Sequence, residues 1–107
     1  MSENAIAKMT MQQAEEEMAC FRKIYSIVRL LDLRTMEENP CYAPWRDAHP
    51  CTRCIGREAL LCKGQKSKLE RVGSQIYQAT ARYVEVDGSP YIMEMIQPLD
   101  PDSDALS

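Results

Sequence analysis

The stretch QIYQATARYVEVDGSPYIMEMIQPL, residues 75–99, decides the reading of this chain. It is rich in β-branched, aromatic and methionine side chains and is interrupted once, at Asp87-Gly88-Ser89. Two strands, Gln75 to Val86 and Pro90 to Leu99, joined as a hairpin account for that pattern. A three-residue loop would set Val84 opposite Ile92, Tyr83 opposite Met93 and Arg82 opposite Glu94. That register pairs opposite charges on one face and gathers Ala81, Tyr83, Met93 and Met95 on the other. A two-residue loop would set Arg82 against Met93, so the charges favour three residues.

Working outward, Ser67 to Val72 is a further strand, ended by Gly73. Before it, Arg53 to Lys63 reads as a helix, with Gly64 as its left-handed terminating residue. Ile24 to Leu31 carries the composition of a strand covered on both faces. Asp32 to Thr35 reads as a turn in which Asp32 bonds backbone amides beyond it. Met36 to Glu38 is expected as a short second strand, and Asn39-Pro40 then breaks the pattern.

The first 23 residues read as a helix running from about Asn4 to Lys23. Thr10 and Gln13 have the spacing of a capping box, each side chain closing the other's backbone N–H. Ala7, Met11, Ala14, Met18, Phe21 and Tyr25 recur at alternating steps of four and three, which puts them on one helical stripe. Such a stripe either packs on its own domain or, with small Ala and adaptable Met, forms the seam of a homodimer. The expected division is therefore 1–23 as helix and candidate seam, 24–99 as the domain, and 100–107 as an acidic, Pro-interrupted tail. The expected class is α+β, a five-stranded antiparallel sheet with helices on one face.

Composition bounds the function. In 107 residues, 45% are hydrophobic and 27% charged, which is globular rather than disordered composition. A formal charge of −3 with no cationic stripe argues against nucleic acid as a partner. No run approaches the roughly 20 apolar residues of a membrane span, and residues 1–10 lack a signal-peptide core. Five cysteines, an odd number, suit a reducing cytosol better than a closed disulfide framework.

Four of those cysteines, with the single Trp and the single His, lie between Cys41 and Cys62. Cys51 and Cys54 form a Cys-x-x-Cys pair, and Cys41 lies upstream. Three thiolates with His49 or Cys62 would complete the four ligands of zinc or another thiolate-bound metal. A second Cys-x-x-Cys is missing, so the zinc-ribbon pattern is absent. The same thiols also fit a reversible disulfide, or simply small buried side chains. No catalytic couple emerges, and Gly56 and Gly64 do not form a phosphate loop, because the Gly-Lys-Ser/Thr ending is missing. An apolar ligand site between sheet and helices would be lined by Trp45, Tyr77, Tyr83, Met93 and Met95; core packing accounts for the same residues.

Cys41-Tyr42 followed by His49-Pro50-Cys51-Thr52-Arg53-Cys54 resembles a segment of certain bacterial PAS sensors. The end of the last hairpin, VEVDGSPYIMEMI, is similar to theirs as well. The resemblance covers nearly everything after Phe21. It implies a PAS-like fold and a cytoplasmic, dimerising, signal-sensing module without catalysis of its own. Such modules precede histidine kinases and GGDEF diguanylate cyclases, so an output domain or partner protein is implied. Gln97-Pro98-Leu99-Asp100-Pro101 departs from the family's usual exit into a signalling helix, because two prolines interrupt it. The alternative from the residues themselves is a small metal- or redox-binding protein using the Cys-x-x-Cys cluster.

Overall fold

The computed structural model describes residues 6–38, 43–45 and 53–99. In chain order the elements are β1 (Ala7–Met9), α1 (Met11–Phe21), β2 (Ile27–Asp32), α2 (Leu33–Glu38), α3 (Ile55–Cys62), β3 (Gln65–Val72), β4 (Gln75–Val86) and β5 (Ser89–Leu99). The class is α+β, and the described strands form one five-stranded sheet. The sheet is mixed rather than antiparallel, because β1 runs parallel to β4.

β4 is the spine. β5 covers one of its edges from Ile76↔Leu99 to Val86↔Ser89. β3 and β1 share the other edge end to end, β3 beside Gln75 to Arg82 and β1 beside Val84 to Val86. β2 closes the far side of β5, from Ile27↔Ile96 to Asp32↔Tyr91.

The β4–β5 loop has two residues, not three. Val86 pairs with Ser89, and Asp87 and Gly88 both take positive φ, 51° and 83°. That is a type I′ turn, whose twist matches the strands it joins and which Asp-Gly is suited to form. Turn chemistry therefore overrides the pairing of Arg82 with Glu94. Arg82 instead faces Met93, and Glu94 faces Ala81. Because side chains alternate across a strand, the one-residue difference moves every β5 side chain to the opposite face from that expected.

Each face of the sheet has its own core. On one, α1 lays Ala14 and Met18 against Val28, Val84, Val86, Met93 and Met95. On the other, α2, α3 and Trp45 cover Leu31, Ala79, Ala81, Tyr83, Ile92 and Ile96. Helices thus lie on both faces, not one. Both faces of the central strands are apolar enough to need cover, as the run Tyr91 to Ile96 already suggests.

Local chemistry sets the boundaries. The capping box forms as the spacing predicts: Gln13 N donates to Thr10 Oγ1 (3.1 Å) and Thr10 N to Gln13 Oε1 (2.9 Å). Thr10 is extended, so α1 starts there and Ala7 lies in β1, off the helical stripe. Within residues 6–23, Ala7–Met9 pair with β4 and Met11–Phe21 form the helix that packs on the sheet. Residues 100–107 lie outside those described.

Met36 to Glu38, expected as a strand, belong to α2. Asp32 accepts a bond from Thr35 N at 2.8 Å and so opens a helix where a turn was expected. Arg57 Nη2 donates to Met36 O (2.7 Å) and ties α3 to α2. α3 ends one residue early, with Lys63 rather than Gly64 in the left-handed conformation. At Gly64 a Cβ would stand 3.3 Å from Cys62 Sγ, a tight contact with an exposed side chain. Among the described residues, no helix is long and apolar enough to cross a membrane.

Candidate functional site

Two lone charges stand in the middle of apolar strands, Arg29 in β2 and Glu94 in β5. The register sets them side by side, on the face covered by α2 and α3. Arg29 Nε donates to Glu94 Oε1 at 2.5 Å. The Glu94 side chain is 6% exposed and that of Arg29 32%. Burial pushes the Glu94 carboxyl up from its ordinary range; the attraction and hydrogen bond of Arg29, with Lys68 beyond, oppose that without cancelling it.

The neighbours of Glu94 along the sheet explain how the charge is accommodated. In its row, Arg29, Glu94, Ala81 and Lys66 succeed one another across β2, β5, β4 and β3. The next row reads Ile27, Ile96, Ala79 and Lys68. Two small, buried side chains of β4, Ala79 and Ala81, stand between the acid and the lysines.

Lys68 closes this arrangement. Its Nζ donates to Arg53 O (2.6 Å), pairs with Glu70 (3.1 Å) and lies 6.0 Å from the Trp45 ring centroid. Trp45 is buried and stacks on Tyr77, with centroids 5.6 Å apart and planes 27° apart. The result is a layer between sheet and helices holding a carboxylate, cations on two strands, and a stacked aromatic pair. Burial favours the neutral form of the Glu94 carboxyl and the arginine the charged form, so the proton on this acid sets the field on Arg29 and Lys68.

The expected ligand-lining residues divide between the faces. Trp45, Tyr77 and Tyr83 lie on this side, with Tyr83 buried and its hydroxyl pKa raised mainly by that burial. Met93 and Met95 lie on the α1 side, because the two-residue turn shifts β5. Ala14 and Met18 are covered by their own sheet, and Met11, Phe21 and Ala7 pack against the same cluster. Of the stripe expected as a dimer seam, Ala14 and Met18 are thus buried within the chain, while Ala7, Met11 and Phe21 are half-buried.

Of the metal or redox candidates, Cys41, His49 and Cys51 lie outside the described residues. Cys54 precedes α3 and packs on the core, whereas Cys62 ends α3 in an exposed position. The rise of a helix separates those two by roughly 12 Å, and thiolates sharing a zinc ion sit at about 2.3 Å from it, so Cys54 and Cys62 cannot share one ion. Among the described residues, no group of three or more His, Cys, Asp or Glu side chains could hold a metal ion.

Arg29, Lys68 and Glu94 were not expected as site residues. For Arg29 and Glu94 a detectable signal exists, since each is one charge inside an otherwise apolar run; Lys68, in the charged strand β3, has none. The chain matches no known protein-family model, no curated protein and no solved structure.

Proposed function

We propose that this chain is a PAS-like regulatory module, non-catalytic, that senses a signal in the layer between its sheet and α2–α3. It would act in the cytosol on an output domain or partner protein, of the diguanylate cyclase or histidine kinase class that the sequence resemblance names. The observation that carries the proposal is Glu94. A carboxylate buried in the central part of a sheet costs desolvation that a single arginine offsets only in part, and perturbed acids concentrate at functional sites. The element order from β2 onward fits the reading in part: the last three strands are antiparallel and β5 returns to β2, whereas Met36 to Glu38, where such a fold has its second strand, is helical. The β2–β5 pairing sets Arg29 on one strand against Glu94 on another, so a change of charge is felt across the sheet.

Trp45, the single tryptophan, is a built-in reporter. Its emission should shift on lowering the pH from 8 to 5, or on adding a small polar ligand that binds the layer. The Glu94→Gln variant should lose that response while keeping its fold. Identical titration curves for both proteins would overturn the proposal.

A further inference from the structure

We propose that β3 is a self-association edge: two copies of this chain join β3 to β3, antiparallel, about a two-fold axis through Leu69.

The backbone parity of β3 follows from one hydrogen bond. Tyr83 N donates to Gly64 O at 2.9 Å, which makes Gly64–Tyr83 a hydrogen-bonded pair of the ladder. Along an antiparallel ladder such pairs alternate. Lys66, Lys68, Glu70 and Val72 therefore direct their N–H and C=O groups to β4. Those of Gln65, Ser67, Leu69 and Arg71 point outward. Among the described residues, nothing forms a backbone hydrogen bond with that outer edge. The opposite edge of the sheet is treated differently, for Arg22 Nη2 donates to Val28 O of β2 at 3.0 Å.

An eight-residue edge with a regular alternation of exposed and half-buried side chains is a template for another strand. Leu69, in its middle, is 64% exposed. It lies at the end of the sheet away from the α1 core, beside Gln78.

The side chains then choose the occupant and the register. A two-fold axis normal to the sheet pairs residues symmetrically about one centre. Centred on Ser67, Lys66 would face the partner copy's lysine at position 68; centred on Lys68, two lysines would meet. Centred on Glu70 or Arg71, two glutamates or two arginines would meet. Of the centres from Lys66 to Arg71, which keep most of the strand paired, only Leu69 has no like charges directly opposed. It sets leucine on leucine, each Ser67 opposite an arginine, each Lys66 opposite a valine, and each Lys68 opposite a glutamate. Since Lys68 already pairs with Glu70 in its own strand, the axis would be flanked on that face by a closed ring of alternating charges. Opposite charges across a strand pair are favourable and like charges unfavourable, so the sequence of β3 is complementary to itself in one register.

Sedimentation velocity on the full chain over a range of concentrations tests this. The expected result is a reversible dimer. Leu69→Lys, which brings two ammonium groups onto the axis, should abolish it while circular dichroism shows an intact fold. Ser67 gives a pair of exposed variants that act in opposite directions. Ser67→Arg opposes two arginines at two symmetric places and should weaken the dimer roughly fivefold, whereas Ser67→Glu should tighten it by a similar factor. A chain monomeric at every concentration overturns the proposal. A dimer indifferent to Leu69→Lys, or equally affected by both charges at position 67, overturns it too.

Discussion

Arg29 Nε and Glu94 Oε1 lie 2.5 Å apart, joining two strands from distant parts of the chain beneath the α2–α3 layer. The pair is asymmetric, since Glu94 is nearly inaccessible and Arg29 reaches solvent. Removing the arginine leaves a buried charge; removing the acid leaves a cation that water can still reach. The two halves of the pair therefore have unequal consequences.

Arg29→Met should destabilise the protein by about 2–4 kcal/mol at neutral pH. Burial raises the folded-state pKa of Glu94, so the native protein binds this proton more tightly than the unfolded chain. The contribution is most favourable at acidic pH and declines as pH rises from the ordinary carboxylate value through the raised folded value. Without Arg29 that window extends further upward, and the stability loss shrinks on acidification to pH 4–5. In Glu94→Gln this part of the pH dependence disappears. Urea unfolding between pH 4 and 8 measures all three behaviours.

Asp32 has the opposite sign. Its bonds from Thr35 hold its carboxyl below the ordinary value of 3.8. The stabilisation is present above that value and is lost as pH falls through the folded one. Asp32→Ala should therefore lower the melting temperature near pH 7, and progressively less as the pH falls below 3.8. Asp32→Asn, which can still cap the helix, should recover most of the loss.

Ala14 distinguishes a packed helix from an interchain seam. It is fully buried where α1 meets the sheet. Ala14→Leu should cost about 1–3 kcal/mol by overpacking, in a way that does not depend on protein concentration. Thermal melts at two concentrations a hundredfold apart check this.

At the hairpin, Gly88 has φ of 83° and open space where a Cβ would stand. Gly88→Ala should then cost roughly 1 kcal/mol from backbone conformation alone. Chemical denaturation gives the difference directly.

Much of this architecture is legible in the residues. The Thr10–Gln13 box, the bounds of β4 and the position of the β4–β5 turn all follow from short-range patterns. What fails is whatever depends on distant partners. The pairing of Arg82 with Glu94, a contact worth about 0.2–1 kcal/mol, is too weak to fix the register of β5. Their real partners are Glu17 of α1 and Arg29 of β2, each far away in sequence. The Asp-Gly dipeptide held the stronger information, because it can accept positive φ at both turn positions. Likewise nothing in Ala7–Met9 announces a strand, since that segment pairs only with Val84 to Val86 at the other end of the chain.

That end-to-end sharing of one edge of β4 also orders the assembly in time. The β3–β4 and β4–β5 hairpins close over short spans, so the entropy lost in forming them is small. β1 adds its three pairs only by closing the long loop from Ala7 to Val84. Its amides should accordingly open and exchange with solvent well before those of β4 and β5, leaving a frayed N-terminal latch on a slowly exchanging hairpin.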